Sequence, residues 1–215
     1  MIPNWAGERQ GMVEKQLRRR GIHDARVLRA MGEIPREEFV PLESRISAYG
    51  DEPVQIGFGQ TISQPYMTAL MAAELELDGT ETVLEVGAGC GYAAAVLGAL
   101  ARRVISLELI PELAEMARHN LRRTGRDGNI EVITADGSLG YAPLAPYDAI
   151  TVAAGAPDVP PALIEQLRDP GRLVIPVGEF EDQELRVVDR QDGHIDSRVS
   201  TLCRFVPLRG GEGWA

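Results

Sequence analysis

The chain has 215 residues, 44% of them apolar and 25% charged, and carries a formal net charge of −10. That length suits one core rather than two, because single cores keep growing to roughly 250 residues, and that charge repels phosphate backbones, whereas nucleic-acid binders usually present a basic face. No run approaches the roughly 18 apolar residues of a membrane span, and Cys90 and Cys203 lack the spacing of a disulfide framework or zinc knuckle, so a cytoplasmic monomer with reduced thiols, contacting neither membrane nor nucleic acid, is expected.

Across residues 8–20, Met12, Val13 and Leu17 recur at helical spacing, with Gly21 where a C-terminal cap belongs. The basic residues Lys15, Arg18, Arg19 and Arg20 read as its solvated face. Asp24 should cap a second short helix through Val27, Leu28 and Met31, stopped by Pro35. Residues 41–62 have no period and hold Gly50, Pro53, Gly57 and Gly59. They predict a long loop, which inside a compact domain usually carries function. Ser63 is then expected to cap a helix with Pro65 in its first turn and Met67, Leu70, Met71 and Leu75 as its buried stripe, ending at Asp78-Gly79.

From there the pattern alternates: TVLEVG, GYAAAVLGALA, RVISLEL, PELAEMARHNLRRTG, NIEVITA, YDAITVAA, PPALIEQLRD and RLVIPVG. Such alternation implies βαβ units and a parallel sheet with helices on both faces. ELRVVD and residues 195–208 flank Asp192-Gly193, a hairpin signal, so the sheet should end in an antiparallel edge. No internal repeat or linker divides the chain.

The segment VLEVGAGCGY runs a buried strand into Gly87, Gly89 and Gly91 and then into a helix. Such a turn lets a ligand approach the backbone closely. Glu108 ends the next strand, where a carboxylate can accept both hydroxyls of a ribose, and Asp136 ends the strand after it. Both stand where open α/β sheets bind ligands, which makes the site a nucleoside pocket. Nicotinamide enzymes use GxGxxG to set a helix N-terminus on pyrophosphate, but this loop reads GAGCG with Tyr92 at the place of the third glycine. A cofactor without phosphates fits better.

With those residues in place, GQTISQPYM, VLEVGAGCGY, ADGSLGY, APYDAI, GAPDVPPALIEQL, PGRLVIPVG and RFVPL resemble, in order and over nearly the whole chain, the motifs of protein-L-isoaspartate O-methyltransferases. The resemblance implies a Rossmann-like α/β methyltransferase fold: a mostly parallel sheet, an antiparallel C-terminal edge and an N-terminal helical extension. It implies S-adenosyl-L-methionine as methyl donor and isoaspartyl-containing proteins and peptides as substrates. It makes Ser63 the active-site serine and carries over cofactor contacts to Gln60, Thr61, Ser63, Glu85, Gly87 and Glu108, with the Asp136-Gly137 pair reading adenine; Gly89 joins them from the loop itself. Residues 1–62 would hold the helices and substrate loop, 63–178 the cofactor core and 179–215 the antiparallel strands of a single domain. Cys90 departs from the serine of many relatives, exchanging a hydroxyl for a weaker donor.

The implied chemistry asks for few catalytic groups. An α-carboxylate with a pKa of roughly 3.5 is already ionised at neutral pH and needs no general base. Accordingly His23, His119 and His194, which are scattered, read as surface or capping residues, and no metal spacing occurs. Ser63 could donate a hydrogen bond to the acceptor carboxylate, or serve only as a helix cap. Another peptide or a small-molecule carboxylate as acceptor, and a silent cofactor-binding module, are the alternatives.

Overall fold

A computed structural model of the chain describes residues 4–214; Met1, Ile2, Pro3 and Ala215, which the single-domain expectation includes, lie outside them. The architecture follows from strands that have no polar face. In β3 (Thr82–Val86), β4 (Arg103–Glu108) and β6 (Tyr147–Val152), successive apolar side chains alternate between two cores. Val83, Val104 and Ala149 enter one; Leu84, Ile105 and Ile150 enter the other. A sheet that is apolar on both sides must be covered on both. One side packs on α4 (Tyr92–Gly98) and α5 (Pro111–Arg123), backed by α1 (Trp5–Met12), α2 (Ala25–Glu33) and α3 (Pro65–Glu74). The other is covered by α6 (Pro161–Gln166) through Leu163.

The remaining strands are β5 (Ile130–Thr134), β7 (Leu167–Gly178), β8 (Gln183–Gln191) and β9 (His194–Cys203). The seven form one sheet in the order β5-β4-β3-β6-β7-β8-β9, parallel as far as β7 and antiparallel thereafter. Asp192 and Gly193 join β8 to β9 with positive φ of 53° and 77°, the conformation a tight primed turn requires. The central strand β3 pairs with β4 on one side and β6 on the other. Winding therefore reverses between them, which opens a crevice at their carboxyl ends.

Several boundaries differ from expectation. The first helix starts at Trp5 rather than Glu8, because Asn4 caps it by accepting the Gly7 N–H at 3.0 Å. It continues as a π turn (Val13–Leu17) and a 3₁₀ turn (Arg18–Arg20) before Gly21, at φ 95°, ends it. Asp24 caps α2 as expected, accepting from Arg26 and Val27. Residues 41–62 are not one loop: a 3₁₀ segment (Leu42–Ser47) is followed by a small hairpin of β1 (Val54–Gly57) and β2 (Gln60–Ile62). Only Val54 and Ile56 alternate inward on β1, too few to register as a period. Finally, α6 stops at Gln166 instead of running through Asp169, since Pro170 disfavours helix before it and Leu167 pairs with Tyr147 in the sheet.

Gly91 shows how closely α4 and α5 approach. It caps α4 at φ 88°, and a Cβ there would lie 3.2 Å from both the Cα and the carbonyl oxygen of Ala117 on α5. Left-handed backbone costs a non-glycine residue about 1–2 kcal/mol, and the collision adds to that. Gly91→Ala should therefore lower stability by about 1–3 kcal/mol, the range for overpacking, seen as a reduced urea midpoint. An unchanged midpoint would show that the helices can part without cost.

Candidate functional site

The glycine loop leaves β3 and spends its N–H groups on its own chain. Gly87 and Ala88 donate to the Leu107 carbonyl at 2.8 and 2.9 Å, and Gly91 donates to the Ala88 carbonyl at 2.8 Å. Gly89 donates to the Glu108 carboxylate at 2.8 Å. A pyrophosphate site needs such groups free to point at the anion; here those of Gly87, Ala88, Gly89 and Gly91 are committed. The other Glu108 oxygen accepts the Ile110 N–H at 3.0 Å, so each oxygen keeps a lone pair for a further donor. That carboxylate is 7% exposed, enough to be reached from the cleft it borders.

Around this loop opens a cleft of about 960 Å³, counted out to open solvent. Of the residues expected from sequence, Gln60, Thr61, Ser63, Gly87, Gly89, Glu108 and Gly137 line it. Among its lining residues only Glu108 and Arg209 carry full charge, and none is histidine. Among the described residues, no group of three His, Cys, Asp or Glu side chains could hold a metal ion, and no helix is long and apolar enough to cross a membrane.

Ser63 does not cap α3. The N-cap is Gln64, extended at φ −54° and ψ 149°, and it makes no side-chain capping bond. Pro65 at the first helical position forces that extended conformation on the residue before it, which moves the helix start one place beyond Ser63. Ser63 is instead half-buried on the cleft wall, where it also borders a smaller adjoining cavity of about 380 Å³.

Two expected contacts sit differently. Glu85 lies in the adjoining cavity, not in the main cleft, and is completely buried. Ser106 donates to one of its oxygens, while the other has no partner. Burial, opposed by the Ser106 hydrogen bond and reinforced by the Glu108 carboxylate, pushes its pKa up to about 8. The Asp136 carboxylate is held by its own chain: one oxygen accepts the Ser138 N–H and hydroxyl at 2.9 and 2.7 Å, the other the Gly211 N–H at 2.8 Å. Burial raises its pKa, but these donors outweigh burial and the net shift is downward. Gly210 presses so closely on Asp136 that a Cβ there would stand 2.0 Å from a carboxylate oxygen.

Sequence reasoning missed the wall built by residues 206–209 and by Ala153 and Ala154. The alanines follow β6, so the rule that ligands sit at carboxyl strand ends could have found them. Residues 206–209 arrive from beyond β9 and carried no such signal. Gln183, 1% exposed, clamps Phe205 by accepting its N–H at 2.7 Å and donating to its carbonyl at 3.2 Å. Gly155 then donates to the Val206 carbonyl and accepts from Leu208, both at 2.8 Å, which fixes the segment beside the cleft. Cys90 also lines it, 2% exposed, with burial raising its thiol pKa to about 11 and leaving it unreactive at neutral pH.

The Glu85 shift has a stability consequence. Unfolded, this carboxyl titrates near about 4.3; folded, near 8. Between those values the native state holds the proton more tightly, so stability is full below the lower value and falls as pH rises towards 8. Glu85→Gln removes this dependence. The melting temperature of the variant, measured without ligand, should gain on that of the parent from pH 5 to pH 8 and then run parallel; a constant difference would mean that Glu85 is ionised in the native protein.

The protein-L-isoaspartate(D-aspartate) O-methyltransferase family profile matches residues 8–213. Relatives include the protein-L-isoaspartate O-methyltransferase 2 of Marinobacter nauticus, 56% identical over 96% of this chain and 94% of its own, and the protein-L-isoaspartate O-methyltransferase of Koribacter versatilis, 50% identical over 100% and 96%. A solved protein-L-isoaspartate O-methyltransferase superposes with TM-score 0.82 at 30% identity, covering 95% of this chain and 66% of that one. A Plasmodium falciparum β-aspartate methyltransferase, solved with S-adenosyl-L-homocysteine, superposes with TM-score 0.79 at 28% identity over 94% and 98%. With this match spanning nearly every described residue, the chain belongs to the protein-L-isoaspartate(D-aspartate) O-methyltransferase family.

Proposed function

We propose that the protein is a protein-L-isoaspartate O-methyltransferase, transferring a methyl group from S-adenosyl-L-methionine to the free α-carboxylate of L-isoaspartyl residues and so initiating their repair. The observation that carries this is the placing of Ser63 on the wall of a cleft whose floor is the glycine loop and Glu108. The cofactor fits what is present: a cleft at the carboxyl ends of the strands, a loop whose Gly87, Ala88, Gly89 and Gly91 amides are already bonded within the chain, and the spare lone pairs of Glu108 for a ribose diol. When bound, S-adenosyl-L-methionine supplies an electrophilic methyl group.

The chain's own residues have positioning to do rather than proton transfer. An ionised carboxylate needs no base, in keeping with a cleft without histidine. Ser63 donates its hydroxyl to the acceptor carboxylate and fixes its direction of approach, while Gln60 and Thr61 on β2 complete that rim. Apolar neighbours such as Ile62, Val86, Leu107 and Leu208 exclude water from the nucleophile. After methylation, the neighbouring backbone amide nitrogen attacks the ester carbonyl, methanol leaves, and the succinimide that forms hydrolyses partly to normal aspartate. The enzyme acts on polypeptide substrates as a cytoplasmic monomer.

Geometry alone separates substrate from normal protein. An isoaspartyl linkage adds a methylene to the main chain and leaves the α-carboxylate as a short branch; misplacement near 1 Å costs about 100-fold in rate. Paired synthetic peptides differing only in this linkage should therefore differ at least that much in methylation, followed by mass spectrometry. Equal methylation, or consumption of a small carboxylate with neither peptide modified, would overturn the assignment. Ser63→Ala should lower kcat by about 10- to 1000-fold, reaching at its upper end the loss for removing an oxyanion-hole donor, while changing cofactor affinity less; a near-normal kcat in the folded variant would reduce Ser63 to a structural residue.

A further inference from the structure

Arg36 lies completely buried behind the cleft wall. Its Nε donates to the Ala48 carbonyl at 2.7 Å and one terminal nitrogen to the Ser63 carbonyl at 2.7 Å; the other terminal nitrogen is buried without a partner. The guanidinium carbon stands 4.8 Å from the centre of the Tyr92 ring. Ser63 and Tyr92 both line the cleft, so Arg36 is one peptide removed from it. No carboxylate pairs with Arg36 among the described residues. The neighbouring acid Glu37 is taken by Arg9 at 3.1 Å and by the Tyr49 hydroxyl, and Glu108 by two backbone N–H groups.

An arginine stays protonated even when buried, and an unpaired buried charge is among the costliest features a fold can keep. Carbonyl dipoles and an aromatic face satisfy two donors and part of the field, but they leave a net positive charge beside the Ser63 peptide. An anion held by the Ser63 hydroxyl would supply the counter-charge that the chain itself does not.

We propose that Arg36 is a specificity-determining positioning residue: acting through the Ser63 peptide, it makes the acceptor site select an ionised carboxylate over its neutral carboxamide counterpart. This rests on the reading of Ser63 as the group that holds the acceptor. The negative charge of the acceptor is consumed as the ester forms, so a fixed positive charge favours the bound acceptor more than the transition state. Loss of the Arg36 charge therefore raises KM for the peptide and does not lower kcat.

The test uses the full chain and two peptides: an isoaspartyl peptide as substrate, and its twin with the free α-carboxylate replaced by a carboxamide as competitor. Arg36→Gln and Arg36→Met remove the charge, Arg36→Lys retains it, and calorimetric binding of S-adenosyl-L-homocysteine reports an intact cleft in each. Both neutral variants should raise KM for the acid peptide by at least about tenfold, the factor for one unit charge about 12 Å away at an effective dielectric of about 20 and a lower bound for a nearer one, with the inhibition constant of the amide twin within about twofold of the parent's. Arg36→Lys should keep the preference for the acid. Equal weakening of both peptides in the neutral variants would make Arg36 merely structural and overturn the proposal, as would an unchanged preference. Failure of the parent chain to methylate the isoaspartyl peptide would instead overturn the underlying assignment of function, so the two failures are distinguishable.

Discussion

The site depends on the hydrogen bonds by which the end of β4 holds the turn leaving β3. A chain that turns sharply at three glycines has little to pin it, because glycine loses the most conformational freedom on folding. Here the Leu107 carbonyl takes two of the turn's N–H groups and the Glu108 carboxylate a third. The same carboxylate faces the cleft. The group that anchors the loop therefore also borders the cleft, and the position of the cleft floor is set by the register between two parallel strands.

Everything else is arranged around that floor. Apolar side chains on both faces of β3, β4 and β6 oblige helices to cover the sheet on both sides, which leaves the carboxyl ends of the strands as the open edge. The N-terminal helices and the hairpin of β1 and β2 close that edge from one direction. Residues 206–209, pinned by Gln183 and Gly155, close it from another. Two walls of the cleft thus come from opposite ends of the chain. Arg36 ties the N-terminal one to the core, bridging the Ala48 and Ser63 carbonyls against a ring that begins α4.

What was legible in the sequence had strong local causes. The alternation of buried strands and helices announced the sheet, Asp192-Gly193 announced its antiparallel edge, and the strand-end position of Glu108 placed it on the cleft. Asp24 and Gly21 acted as the caps they resembled. What was missed depended on tertiary context. Ser63 read as a helix cap because serine before a helix usually is one, but Pro65 moved the start beyond it. The β1–β2 hairpin turns at Phe58, a non-glycine residue with φ 54°, which no turn rule flags. That Arg36 should be wholly buried could not be inferred from a Pro-Arg-Glu-Glu stretch that looks like surface. Asp136 stood where a ligand acid belongs, yet its engagement by Gly211 required knowing where a segment 75 residues further on would fold.

That last contact bears on biosynthesis. Folding on the ribosome proceeds from the N-terminal side, and residues 206–214 emerge after every strand of the sheet has been made. Yet they furnish part of the cleft wall, the amide that holds Asp136, and the Trp214 indole that donates to the Gly155 carbonyl at 3.0 Å while its ring stacks on Phe180 at 4.7 Å. A nascent chain can thus assemble its entire sheet and still lack a finished cleft. Residues 206–209 complete the wall only when this last described turn docks, so the contacts made latest in synthesis are the ones that close the cleft.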